Sequence, residues 1–174
     1  MGESIEFLQY LDERMQLPET DMREMSPLVL AYIGDAAYEL VIRTMLVKTS
    51  HAQVERLHRR ASARVKASAQ AAMIAHLLPM LTEEEERAYK RGRNAKSYTK
   101  AKNATMSDYR KATGFEALIG YLYLKKETTR MVDLIREGLD AVFPEEAQQM
   151  PQEVSEAETA AETGIRAAEN GEEV

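Results

Sequence analysis

A chain of 174 residues with no cysteine is long enough to bury one core, and it excludes disulfide frameworks and thiolate metal sites. Proline and glycine are sparse, at 5 and 8, while good helix formers dominate, so an all-α fold is expected. The formal charge of −6 is uneven: beyond Pro144 stand nine glutamates and one arginine, which leaves the preceding residues slightly basic.

Phe7, Leu8, Leu11 and Met15 recur at helical spacing, which predicts a short amphipathic helix over about residues 5–15. The segment carries acids where a secretion signal needs a basic region and an unbroken apolar run. No apolar stretch approaches the ~20 residues that a membrane span requires. A cytoplasmic protein without a membrane partner is therefore expected.

Ser26-Pro27 is a helix start, with Ser26 as the cap and Pro27 in the first turn. The helix that follows, LVLAYIGDAAYELVIRTMLV, is apolar on nearly every face, which predicts a place in the middle of the domain. Residues 52–78 read as one or two helices, basic first and alanine-rich after, ended by Pro79. Thr82 with Glu85 makes a capping box, and four glutamates fill the first turn, where the helix dipole favours them. That helix is expected to reach about Lys90 and to exit into a polar basic loop. Ser107 or Asp108 then caps YRKATGFEALIGYLYLKK, and a last helix covers roughly Thr128 to Val142. Residues 1–144 form the predicted domain. Residues 145–174, rich in Glu, Ala, Gln and Thr without an aromatic, form a tail expected to be disordered.

Two helices that look like core nevertheless carry acids. Asp35 and Glu39 lie four residues apart on one face, and Glu116 is the only charge between Lys111 and Lys125. A buried lone carboxylate costs several kcal/mol unless a positive group compensates. That group could be an arginine such as Arg43 or Arg110, or a divalent cation with oxygen ligands. Gly34 beside Asp35, and Gly114 and Gly120 flanking Glu116, allow the close helix approach that would bring the acids together. A hard-metal site of this kind suits phosphate chemistry.

Between Arg87 and Lys102 stand seven basic residues and no acid, with Asn94, Ser97, Tyr98 and Thr99 among them. Such a segment suits a nucleic-acid backbone, although many solvated loops share its composition. His51, His58 and His76 are read as surface or packing residues. No phosphate-binding loop, dinucleotide fingerprint or zinc pattern is present.

The two acidic helices resemble a known family. LAYIGDAAYEL resembles the signature helix of the ribonuclease III catalytic domain, and FEALIGYLYL resembles its second acidic helix. RGRNAKSYTKAKN looks like the corresponding stretch of the Mini-ribonuclease III branch. The resemblance spans about residues 20–143. It implies a helical bundle of the ribonuclease III catalytic-domain type, acting as a homodimer on double-stranded RNA with Mg²⁺. It also implies a part in maturing large-subunit (23S) ribosomal RNA, and the absence of a separate double-stranded-RNA-binding domain. Asp35 and Glu116 match the family's metal-binding acids, whereas Ala31 and Thr113 stand where longer members carry Glu and Asp. The expected site is thus sparse, with one metal. Glu39 is left either beside the metal ligands or paired with an arginine across the dimer. Arg91, Arg93, Asn94 and Lys96 are the expected RNA contacts. The rival expectation is a module that docks on structured RNA in ribosome assembly without cutting it.

Overall fold

The structure, a computed structural model, describes residues 7–96 and 105–144. The expected acidic tail, and Ser97 to Lys102 of the basic loop, lie outside the described residues. Among the described residues seven α-helices follow in order: α1 (Phe7–Met15), α2 (Pro27–Thr49), α3 (Val54–Val65), α4 (Ala67–Leu77), α5 (Glu83–Asn94), α6 (Met106–Leu124) and α7 (Thr128–Val142), with a 3-10 turn at Leu78–Met80. No strand occurs among the described residues, as the composition implied.

The helix at the centre is α6. It packs against α2, α4, α5 and α7, and every residue from Ala112 to Leu122 except Glu116 and Tyr121 is buried. A helix apolar all round needs neighbours on all sides, and α6 has them. This corrects the expectation for α2. One face of α2 buries Leu30, Ala31, Gly34, Ala37, Tyr38, Ile42 and Leu46. The other exposes Val29 by 50%, Tyr32 by 81%, Leu40 by 64% and Val47 by 63%. The apolar pattern of α2 is real, but no described segment covers half of it.

The core joins α2, α4, α6 and α7 through Tyr38, Ile42, Met73, Ile74, Phe115, Leu118, Ile119 and Ile135. Tyr38 is fully buried and meets Phe115 edge-on at 5.1 Å. Its hydroxyl donates to the Arg64 carbonyl at 3.1 Å, so the one polar atom of this large side chain is satisfied.

The helix ends show where local rules held. The Thr82–Glu85 box forms in both directions, at 2.8 and 3.3 Å. Ser26 occupies the cap position of α2 but its side chain makes no capping bond, leaving Pro27 as the start signal. Thr105, rather than Ser107 or Asp108, caps α6, its hydroxyl accepting from the Asp108 N–H at 3.1 Å. Residues 52–78 divide at Lys66, whose extended backbone separates α3 from α4.

Candidate active site

Glycine brings the two acids together. Where α2 crosses α6, a Cβ on Gly34 would overlap the Glu116 carbonyl oxygen and lie 2.6 Å from the Gly120 nitrogen. A Cβ on Gly120 would overlap the Leu30 carbonyl oxygen and lie 3.1 Å from the Gly34 nitrogen. The two backbones therefore touch, at a separation only glycine permits. On the opposite side, a Cβ on Gly92 of α5 would lie 2.9 Å from the Thr113 carbonyl oxygen. The turn of α6 that carries Glu116 is held between Gly34 and Gly92.

Asp35 sits at the solvent-exposed rim and Glu116 is half-buried behind it. Burial is the main influence on Glu116, the negative charge of Asp35 adds to it, and together they push its carboxyl up to about 8 against a hydrogen bond from Gln70. Asp35 is also raised, by crowding from surrounding protein first and by Glu39 second. Among the described residues the groups acting on the two acids are Glu39 on Asp35, and Asp35 and Gln70 on Glu116, none of them a cation. Glu39 itself is bound to Arg43 of its own helix at 2.8 Å. Of the two arginines the sequence offered to these acids, Arg43 is thus taken by Glu39, and Arg110 lines a cavity with Arg93 and Asn94.

The positions where longer family members carry acids do different work. Ala31 is buried in a small apolar cluster with Leu30 and Ala117. Thr113 turns its hydroxyl back to the Tyr109 carbonyl at 3.0 Å. Among the described residues no group of three or more metal-ligating side chains forms. A divalent cation fits what remains: two carboxylates that repel each other and have no counter-charge among the described residues.

Gln70 was not legible as a site residue. It stands on α4, fully buried, with Nε2 donating to the Val65 carbonyl at 3.1 Å. The signal in the sequence was one amide inside an alanine-rich buried helix.

The expected RNA contacts divide in two. Arg91, Arg93 and Asn94 lie on the last turn of α5, not in a loop, because that helix extends to Asn94. Arg91 is engaged: its guanidinium donates to the Met25 carbonyl at 2.6 Å and the Met22 carbonyl at 3.4 Å, fastening the lead-in to α2. Arg93 and Asn94 line a cavity of about 350 Å³ with Met106, Ser107, Arg110 and Lys111. Lys96 is exposed beyond the helix end. Arg110 and Lys111 add two cations that the sequence reading did not assign to RNA. Their signal was two basic residues in the opening turns of an otherwise apolar helix.

A family description, the Ribonuclease III domain, matches residues 28–127. The chain belongs to the ribonuclease III family, in its Mini-ribonuclease III branch. It is 48% identical over 122 residues to the Mini-ribonuclease 3 of Clostridium tetani, covering 70% of this chain and 81% of that one. It is 51% identical over 117 residues to that of Enterococcus faecalis, covering 66% and 89%. A crystal structure of a Fusobacterium nucleatum protein matches with TM-score 0.62 and 31% identity, over 68% of this chain and 94% of that one. The ribonuclease III family is one of endoribonucleases, and Asp35, Glu116 and the α5–α6 cations all fall within the matched residues.

Proposed function

We propose that the chain hydrolyses phosphodiester bonds in double-stranded RNA with Mg²⁺, as a homodimer, in maturation of large-subunit ribosomal RNA in the cytoplasm. The observation that carries the catalytic part is the pair Asp35–Glu116: two carboxylates on helices brought into glycine contact, both raised, with no cation among the described residues acting on either. Mg²⁺, when bound there, supplies the charge that activates water and neutralises the leaving oxygen. Asp35, at the rim, and Glu116, behind it, would hold the ion. Arg93, Asn94, Arg110 and Lys111 line a cavity suited to phosphate oxygens, and Lys96 extends the same charge outward. Arg91 places two of its N–H donors on backbone carbonyls and contributes mainly by fixing the lead-in of α2 on α5. With few protein ligands, the RNA phosphates complete the site.

The exposed apolar face of α2 supports the dimer. Val29, Tyr32, Leu40 and Val47 form a stripe on the helix that carries Asp35, and covering it with a second copy would remove it from water. The ribosomal substrate rests on the Mini-ribonuclease III resemblance. No described helix is long and apolar enough to cross a membrane.

The test is cleavage of duplex RNA with Mg²⁺ against EDTA, using wild type and Asp35→Asn. Cleavage confined to wild type with Mg²⁺, alongside equal duplex binding by both proteins, is expected. Full activity of Asp35→Asn would overturn the assignment. A wild type that binds duplex RNA and never cuts it would favour a docking module in ribosome assembly.

A further inference from the structure

A second cationic cavity, of about 410 Å³, opens between the lead-in to α2, α5 and α6. Met22 and Arg23 of the lead-in, Glu84, Arg87 and Arg91 of α5, and Tyr121 of α6 line it. It shares no residue with the cavity of Arg93 and Asn94. Helix geometry sets the two apart. Arg87 and Arg91 stand four residues apart on one flank of α5. Arg93 is turned about 200° from Arg91, with Gly92 between them against α6.

Three guanidinium groups meet at this cavity with little to balance them. Arg91 is fixed, donating to the Met25 carbonyl at 2.6 Å and the Met22 carbonyl at 3.4 Å. That grip keeps the next residue of the lead-in, Arg23, at the same cavity as Arg87. Arg23 and Arg87 are exposed, and among the described residues neither side chain makes a hydrogen bond or ion pair. Asp21 turns its carboxylate to the Arg23 backbone N–H, at 2.8 Å. Glu84, the acid on the wall, is already met: its Oε2 accepts from the Tyr121 hydroxyl at 2.9 Å and from Lys125 Nζ at 3.3 Å. Those two bonds, Tyr121 first, hold its carboxyl below the ordinary range. Like charges gathered at one cavity repel each other, and an anion relieves the repulsion. Arginine presents planar pairs of N–H donors that suit phosphate oxygens two at a time.

We propose that this cavity is a second phosphate-binding site, in which Arg23 and Arg87 donate to the phosphate oxygens and Arg91 holds Arg23 in place while adding its charge. The site stands independently of the metal reading of Asp35 and Glu116, since none of its residues belongs to that pair. Because it opens on the other flank of α5 from Arg93, it takes a phosphate group other than the one the Arg93 cavity holds. That group belongs either to another stretch of RNA backbone or to a small phosphate anion.

The test compares the full chain with Arg23→Gln, Arg87→Gln and Arg93→Gln, all in EDTA. Pyrophosphate is titrated into each by calorimetry, and duplex RNA affinity is measured across a range of salt. Arg23 and Arg87 are exposed, so their replacement should leave the melting temperature near wild type. If the site takes a small anion, pyrophosphate affinity should fall by about 10-fold in Arg23→Gln and in Arg87→Gln. Arg93→Gln should then stay within about twofold of wild type, and the salt dependence of duplex binding should hold in Arg23→Gln and Arg87→Gln. If the site takes RNA backbone, each of those two replacements should weaken duplex binding and flatten its log–log salt slope by about one. Either result supports the site and names its source. Unchanged pyrophosphate affinity together with an unchanged salt slope in both variants overturns the proposal. Loss of the fold in both also overturns it, since the arginines would then be structural.

Discussion

Two glutamates of this chain are withdrawn from water, and the fold treats them in opposite ways. Glu85, in the first turn of α5, is 3% exposed. Arg130 of α7 grips it with two bonds, Nε to Oε1 at 2.8 Å and Nη2 to Oε2 at 3.0 Å. The Thr82 N–H adds a third at 2.8 Å. Arg130, and then the Thr82 backbone, hold its carboxyl below the ordinary range against the cost of burial. Glu116 has Gln70 and a second acid, and its carboxyl is pushed up to about 8. The same functional group is satisfied by the chain in one place and left wanting a cation in the other. The contrast separates an acid that stabilises the fold from one that awaits a ligand.

The largest expected effect comes from exchanging carboxylate for amide at each. Glu116→Gln should cut duplex cleavage about 1000-fold, roughly 4 kcal/mol of barrier, with the fold intact by circular dichroism. Glu85→Gln should leave the cleavage rate per folded molecule near wild type while costing about 1–3 kcal/mol in urea unfolding. A reversal of these two outcomes would break the comparison.

Gly34→Ala tests how the pair is brought together. A helix ordinarily gains about 1 kcal/mol from glycine to alanine. Here the new Cβ overlaps the Glu116 carbonyl oxygen, so a net loss of about 1–3 kcal/mol is expected. Cleavage should fall further than stability explains, since α2 must move off α6 and separate Asp35 from Glu116.

The smallest effect concerns pH. Glu116 in the folded, metal-free protein titrates near 8, above its ordinary 4.5. The folded state then keeps a proton that the unfolded chain releases, so this contribution is full below the ordinary value and declines as pH rises through 4.5 toward 8. Glu85 behaves oppositely: its carboxyl is lowered, so its contribution is present above the ordinary range and is lost as pH falls through the depressed value. Mg²⁺ should therefore raise the melting temperature more at pH 8.5 than at pH 6, by a difference of about 2–4 °C per kcal/mol of added binding. An equal gain at both values would argue that Glu116 is not a ligand. In Glu116→Gln the pH dependence of the gain should disappear.

Much of this was legible in the amino-acid pattern. Thr82 with Glu85 announced α5, Thr128 to Val142 delimited α7, and the acids of α2 and α6 stood out because both helices are otherwise apolar. What hydrophobic periodicity does not carry is the identity of the covering surface. The pattern of α2 implied full burial, yet Tyr32 and Leu40 face outward, whereas α6 is enclosed by its own chain. Glu85 looked like one of four dipole-favoured surface acids, because its partner Arg130 is 45 residues away. Arg91 looked free to bind phosphate for the same reason: its acceptors, Met22 and Met25, are distant in sequence. Gln70 drew no notice, since its meaning depends on α4 lying against Glu116. Contacts between segments far apart in the chain decide which polar residue is structural and which is functional.

Crystals of the full chain grown with Mn²⁺ and measured for its anomalous signal test the central claim most directly. The account predicts one ion with carboxylate oxygens of both Asp35 and Glu116 at about 2.1 Å, the remaining positions open to water or RNA, and Glu39 still on Arg43. An ion bound to one of the two acids alone, or to Glu39 in place of Glu116, would contradict it.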